Sequence, residues 1–158
     1  MFHIFFRIFI IVILLVPTKS FAANADSFMS LRSDEVFMRY GPSTDHPIKW
    51  VYHQKGWPMK VVLKFDQWVK VKDVSGEVGW IHSSLLSTKK YGIAQAMDEK
   101  SYVVLKKSNK KDSSGVLRIE EGTLLKVYGC EGGLCKVGAS GYKGVLEKKL
   151  LWGIVQTQ

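Results

Sequence analysis

Residues 68–86 read WVKVKDVSGEVGWIHSSLL and decide the fold of this chain. The segment places short β-branched and aromatic runs on either side of Ser75-Gly76, a pair of residues that favours a tight turn. A single helical turn is expected at residues 83–86. A weaker copy, LCKVGASGYKGVLEKKLL, occupies residues 134–151. The repetition predicts two copies of one small β unit.

The two copies keep their register, with the loss of one residue in the second. Turn glycines and apolar positions repeat together, and such agreement across both kinds of position is what a true repeat requires. The corresponding pairs are Gly56 and Gly122, Val61 and Val127, Trp68 and Leu134, Val71 and Val137, Gly76 and Gly141, Gly79 and Gly144, and Leu86 and Leu151.

The first unit reads as a series of short strands, without helical periodicity. We predict strands at residues 36–39, 57–63, 68–71 and 78–82, after a mobile lead-in at residues 26–32. Residues 48–52 fit either a short strand or an irregular link. Pro58 places its strand at a sheet edge, because proline cannot donate to the ladder. Trp68 and Trp80 are expected to fill the barrel.

The second unit follows a linker at residues 89–100, which we expect to be mostly extended. Strands are predicted at 102–105, 116–119 and 123–128, with a polar loop from 106 to 114. The fold class is therefore all-β, with two tandem, strongly bent antiparallel barrels. The domains are placed at residues 27–88 and 101–153.

The N-terminus resembles a secretory signal peptide in layout, with Arg7, an apolar run at residues 8–16 and small residues from Ser20 to Ala25. We predict a signal peptide at residues 1–25, cleaved after Ala25 or after Ala22. The apolar run is short for a bilayer span. An uncleaved anchor is the alternative. Cleavage predicts a periplasmic or secreted protein with no stable membrane span.

Positive charge is concentrated in the C-terminal half. The whole chain carries +9, and removal of the signal segment leaves 21 basic against 14 acidic residues, or +7. Residues 88–158 hold 13 basic and 7 acidic residues, so this half carries +6 of the total charge of +7. Such a surface attracts polyanions, or is simply a solvated lysine-rich surface. Export argues against nucleic acid as the partner.

The two cysteines, Cys130 and Cys135, flank Glu131-Gly132-Gly133-Leu134. A two-residue turn at Gly132-Gly133 would place the cysteines opposite each other in a hairpin. We therefore expect a disulfide, which oxidising conditions outside the cytoplasm would favour. A redox or metal role is the alternative, although the spacing is not CxxC.

The first unit resembles the bacterial SH3 domain. Its opening, VFMRYGPS at residues 36–43, is similar to that family's pattern of an apolar residue, Arg, a spacer and Gly-Pro-Ser. Trp68-Val69-Lys70-Val71 and Gly79-Trp80-Ile81 resemble its third and fourth strands. The second unit lacks the Arg-x-Gly-Pro-Ser opening and has Val145 in place of Trp80, but its cysteine hairpin is similar to second copies in tandem, exported members.

The resemblance implies a barrel of five to six strands per unit and a binding function without catalytic residues or cofactors. Members of the family are thought to bind peptidoglycan peptides or other envelope ligands. An aromatic and basic surface suits short extended peptides and sugars. The candidate ligand-binding residues are Arg39, Tyr40, Trp50, Tyr52 and Trp57, although Trp50 and Trp57 would equally suit closure of the barrel or docking of the two domains.

We do not expect an enzyme. A thiol hydrolase needs a cysteine with a histidine partner, and both cysteines are assigned to the disulfide. His46, His53 and His82 lack metal-ligand spacing, so no metal site is predicted. The chain is expected to be a non-catalytic exported binding module for peptidoglycan or another envelope ligand. The alternative is a module that binds a periplasmic or host protein.

Overall fold

The computed structural model describes residues 27–97, 101–107 and 115–156, and for Gly115 and Val116 the backbone alone. The predicted signal peptide at residues 1–25 lies outside the described residues, as do parts of the predicted linker and of the 106–114 loop. The structure is all-β, as predicted. The strands of the first half are β1 (Phe28–Leu31), β2 (Val36–Arg39), β3 (Ile48–Tyr52), β4 (Pro58–Phe65), β5 (Trp68–Lys72), β6 (Val78–His82) and β7 (Leu86–Ser87). Those of the second half are β8 (Tyr91–Ala94), β9 (Tyr102–Lys106), β10 (Gly115–Glu120), β11 (Leu124–Glu131), β12 (Leu134–Ala139), β13 (Tyr142–Glu147) and β14 (Leu151–Trp152).

Within the described residues, the strands form two antiparallel seven-stranded sheets with the same topology. The first has the order β3-β2-β6-β5-β4-β1-β7, and the second has the order β10-β9-β13-β12-β11-β8-β14. A short 3-10 turn precedes the last strand of each, at Ser83–Leu85 and Lys148–Leu150. Each sheet encloses its own apolar cluster. We call the two units the first and second domains.

The repeat predicted from sequence extends to irregular features of the sheets. In the first domain the register of β4 and β5 shifts between Val61 and Leu63. In the second domain the register of β11 and β12 shifts between Val127 and Gly129, 66 residues later. A bulge at the same place in both copies bends each long strand so that it contributes to both sides of its barrel.

Two segments that we predicted to lie outside the barrels form strands of the sheets. Residues 28–31, predicted as a mobile lead-in, form β1, which pairs with both β4 and β7. Residues 91–94, predicted as linker, form β8, which pairs with both β11 and β14. Both segments are short, and only their distant partners make them strands, so local pattern did not reveal them. They account for the difference between the five to six strands expected and the seven observed.

Pro58 does not lie on an edge strand. It begins β4, which stands between β5 and β1, and it is opposite Ser30. A proline at the first residue of an interior strand removes a single ladder bond, and the carbonyl of Trp57 just before it still accepts from the Leu31 N–H at 3.0 Å.

Trp68 and Trp80 do not fill the barrel. In β5 the buried residues are Val69 and Val71, so Trp68 lies on the opposite face. In β6 the buried residues are Gly79 and Ile81, which places Trp80 on that same outer face. Since successive side chains of a strand point to opposite faces, the β-branched residues hold the interior and the indoles remain outside.

The two domains are in direct contact. The ring of Phe28 in β1 meets the indole of Trp152 in β14 edge to face, with centroids 5.2 Å apart. Gly153 lies against Pro58, and a Cβ at this glycine would be 2.6 Å from the proline Cβ. Gly56 lies against the ring of Tyr91 in the same way. The contact therefore joins β1 and the start of β4 to β8 and to the end of β14.

Candidate functional site

The β2–β3 hairpin carries four of the five predicted ligand-binding residues. The Gly41-Pro42-Ser43 loop connects its strands, and the ring of His46 packs directly on Gly41. Arg39 donates a 2.7 Å hydrogen bond from Nη1 to the carbonyl of His46. The N–H of Asp45 donates to the hydroxyl of Ser43 at 3.1 Å. These bonds hold the loop in one conformation, so the side chains beside it are displayed from a preorganised frame.

Tyr40 and Trp50 are the most exposed aromatic residues of this hairpin, with 65% and 51% of their surface accessible. The ammonium of Lys49 lies 5.7 Å from the centre of the Tyr40 ring. It also forms an ion pair with Glu77 at 3.0 Å and donates to the carbonyl of Val78 at 2.8 Å. We use the name hairpin surface for four residues that this hairpin carries, Arg39, Tyr40, Lys49 and Trp50. It combines open aromatic faces with fixed cations.

Tyr52 belongs to the core beneath this surface. It is 8% exposed and packs 6.5 Å from Trp50 between ring centroids. Its hydroxyl donates a 2.9 Å hydrogen bond to the Asp73 carboxylate. Burial, together with this bond and the nearby negative charge, raises the pKa of Tyr52 above its ordinary value. Its hydroxyl is thus committed within the domain, and its ring lies beside Trp50 on the same face of β3.

Trp57 is placed apart from the hairpin. It precedes β4, is half-buried and packs against the core of the first domain. The structure therefore places Arg39, Tyr40, Trp50 and Tyr52 on the β2–β3 hairpin, with Trp50 next to the buried Tyr52, and gives Trp57 a packing position. A ligand role for each of these residues stays a prediction.

A second aromatic group lies on the outer face of β4, β5 and β6. Phe65 is 54% exposed and meets Trp80 edge to face at 6.4 Å. Trp68 meets the ring of His82 at 5.4 Å, and the ammonium of Lys70 lies 6.0 Å from the Trp80 ring. Alternation along β5 and β6 predicts that both indoles share one face, but it does not say whether that face is interior or exposed.

His82 is fixed by its neighbours. Its Nδ1 accepts from the Ser84 N–H at 3.3 Å, and its Nε2 lies 3.0 Å from Gln67 Oε1. With Nδ1 as acceptor, the proton lies on Nε2 and is donated to Gln67. The ring caps the 3-10 turn and holds the β4–β5 turn, which is a structural role.

The hairpin surface and the outer face adjoin at one pair of residues. Arg39 of β2 is opposite Trp80 of β6 in the register.

A comparison with known protein families finds a match in this part of the chain. Residues 32–88 match the family model of the bacterial SH3 domain. The SH3 match thus covers β2 to β7, including the hairpin surface, and leaves the second domain outside it.

Three solved structures were found to be similar. They are NlpC2 from Trichomonas vaginalis (9% identity, TM-score 0.35), NlpC1 from the same organism (12%, 0.35) and an NlpC/P60 family protein from Bacillus cereus (15%, 0.36). They cover 78%, 85% and 80% of this chain, while the chain covers 47%, 50% and 56% of theirs. The chain therefore spans about half of their length. No curated protein sequence matches it.

Across residues 27–97, 101–107 and 115–156, no helix has the length and apolar character needed to cross a membrane. The same ranges contain no cluster of three histidine, cysteine, aspartate or glutamate side chains arranged for a metal ion.

Proposed function

We propose that this chain is a non-catalytic, exported binding module whose first domain recognises an extended ligand of the cell envelope, foremost a peptidoglycan peptide. The observation that carries the proposal is the exposure of Tyr40 and Trp50 beside Arg39 and Lys49 on a rigid hairpin. The match of residues 32–88 to the bacterial SH3 domain supports a binding role for the same surface.

The chemistry of the hairpin surface suits such a peptide. Open aromatic rings contact aliphatic side chains and the backbone of an extended chain at low entropic cost. Arginine and lysine beside them would pair with the carboxylates that such peptides carry. Because Arg39 and the loop are already held by hydrogen bonds, little ordering cost remains to be met on binding.

Two features support export and a non-catalytic role. The N-terminal sequence has the layout of a signal peptide, and the Cys130–Cys135 disulfide is of the kind that persists outside the cytoplasm. The disulfide also removes both thiols as nucleophiles. We accordingly place the protein in the periplasm or outside the cell.

A protein partner is the second candidate, and one observation favours it. β3 is at the edge of the first sheet, so its free side can accept a further strand. Ile48 and Val51 on this strand are exposed, as is Phe37 opposite Val51. An extended segment of another protein could therefore pair with β3.

Sedimentation with isolated peptidoglycan tests the first candidate. The purified protein, produced from the full chain, should sediment with the polymer at low and at moderate salt. A Tyr40→Ala/Trp50→Ala variant should lose that retention, while Phe65→Ala, which removes an equally exposed ring from the outer face, should keep it. If the double variant is still retained by peptidoglycan, the hairpin surface is not the binding site. Absence of retention in the unaltered protein would favour the protein partner.

A further inference from the structure

The second domain carries an unusual row of residues on its solvent-facing side. Lys126 of β11 is opposite Gly138 of β12, and Gly138 is in turn opposite Lys143 of β13. The neighbouring residues Leu125 and Val137 are fully buried, so the row faces outward. Two lysines thus flank a position that has no side chain.

The ring of Tyr128 covers this gap. A Cβ at Gly138 would be 2.9 Å from the tyrosine hydroxyl and 3.0 Å from Cε2, so only glycine leaves room for the ring. Tyr128 lies in the bulge of β11, which directs it across the row. The ammonium groups of Lys126 and Lys143 are each 5.4 Å from the ring centre. The ring nevertheless stays 51% exposed.

The next row on this face adds two more cations. Lys136 is opposite Val145, and Val145 is opposite Lys106 of β9. Neighbouring rows on one face are separated by about 7 Å, and adjacent strands by about 5 Å. The acidic residues of β11 to β13 are Glu131 and Glu147, which both lie opposite Leu134 at the far end of the sheet. In the described part of the chain, none of the four lysines forms an ion pair.

The first domain has a different arrangement at the same place. There the row consists of Lys60, Lys72 and Val78, and Val62 occupies the bulge. With a lysine in the middle and no aromatic ring, this row does not form an open platform. The feature is therefore specific to the second domain.

We propose that Tyr128 with Lys106, Lys126, Lys136 and Lys143 forms a binding site for an anionic polysaccharide. The open face of Tyr128 suits the C–H face of a sugar ring, and the lysines around it suit carboxylate or phosphate groups on successive sugars. Four cations spread over two rows match a polymer with repeated charges better than one small anion. This inference goes beyond the proposed function, because it assigns a separate site and ligand class to the other domain.

Binding to polygalacturonate, a linear polymer with one carboxylate per sugar, tests the site. The protein should bind it at low salt and release it as salt rises. Lys126→Ala/Lys143→Ala should weaken binding by about tenfold or more, as expected for lost bonds to charged groups. Lys55→Ala/Lys64→Ala, which removes the same charge from exposed positions in the first domain, should change it little. Retained folding of each variant is checked by circular dichroism.

The aromatic contribution is tested separately. Tyr128→Leu still covers Gly138 but removes the ring, and it should weaken binding to polygalacturonate by about fivefold. Binding to inorganic polyphosphate, which has no sugar ring, should be unaffected by this change. Equal losses in the two lysine variants, equal effects of Tyr128→Leu on both polymers, or no binding by the unaltered protein would each overturn the proposal. Substitutions of Tyr40 and Trp50 should leave this binding intact, so the two proposals fail independently.

Discussion

The hydroxyl of Tyr52 in β3 donates a 2.9 Å hydrogen bond to the buried carboxylate of Asp73, which follows β5. Asp73 also accepts from the Ser75 hydroxyl and from the Glu77 N–H, both at 2.8 Å. This one carboxylate therefore joins the base of the hairpin surface to the β5–β6 turn. In the second domain Ile119 takes the place of Tyr52, since it pairs with Val103 as Tyr52 pairs with Val36.

Replacing Tyr52 with phenylalanine should destabilise the first domain. The substitution keeps the ring but removes one donor to a buried carboxylate, a loss of about 1–2 kcal/mol in the free energy of unfolding. Urea denaturation measures it. Tyr142→Phe, at an exposed position in the second domain, is the matched control and should have no measurable effect. Equal stabilities of the two variants would show that the bond contributes nothing.

The same tyrosine should make stability depend on pH in the alkaline range. Burial raises the pKa of Tyr52 above its ordinary value, which is about 10. The unfolded chain therefore loses this proton at a lower pH than the folded one. The neutral hydroxyl therefore makes its full contribution to the free energy of unfolding below about pH 10. Above that pH the contribution decreases, by up to about 1.4 kcal/mol per pH unit. Urea denaturation across this range should show a steeper decline for the unaltered protein than for Tyr52→Phe. Parallel curves would contradict the assignment.

Reduction of the disulfide should weaken the second domain. Cys130 and Cys135 are opposite each other in the β11–β12 hairpin, with Cα atoms 4.0 Å apart. The closed loop is short, so the loss of stability should be about 2 kcal/mol. Thermal unfolding with and without a reductant measures it, and a Cys130→Ala/Cys135→Ala variant, which should no longer respond to the reductant, is the control. An unchanged transition of the unaltered protein would count against the expectation.

Gly144 should be intolerant of a side chain, whereas Gly129 should accept one. A Cβ at Gly144 would be 2.5 Å from both the Leu105 Cγ and the Lys106 carbonyl. Gly144→Ala should therefore cost about 1–3 kcal/mol through overpacking. At Gly129 no atom lies within 4 Å of that position, so Gly129→Ala serves as the matched control. Chemical denaturation of the two variants should separate them clearly. Similar midpoints would refute the close approach of β9 to β13.

The contact between Phe28 and Trp152 should hold the two domains together. Trp152→Ala removes an edge-to-face pair worth about 1 kcal/mol beyond the burial of its surface. Small-angle X-ray scattering should show a larger radius of gyration for this variant. Trp50→Ala, which removes an exposed indole away from the contact, should leave the radius unchanged. An unaltered radius for Trp152→Ala would mean that the other contacts suffice.

Several features could be predicted from local pattern because their cause is local. The strands at residues 36–39 and 78–82 have the predicted bounds. The Gly132-Gly133 turn places Cys130 opposite Cys135 as predicted, and both glycines have positive φ values, 55° and 79°. Glycine reaches such angles without steric cost, so its position marks a turn wherever the fold places it.

The sequence by itself therefore determined the β class, the repeat and the pairing of the cysteines, since these depend on alternation, glycine turns and spacing. Only the tertiary structure decided which face of each strand is interior. Trp68 and Trp80 are as apolar as Val69 and Ile81, so alternation alone could not show which face of the strands is interior. It also decided that β1 and β8 are strands, because their hydrogen-bond partners lie far along the chain. The cluster of Tyr128 with Lys126 and Lys143 arises in the same way, from three strands brought side by side.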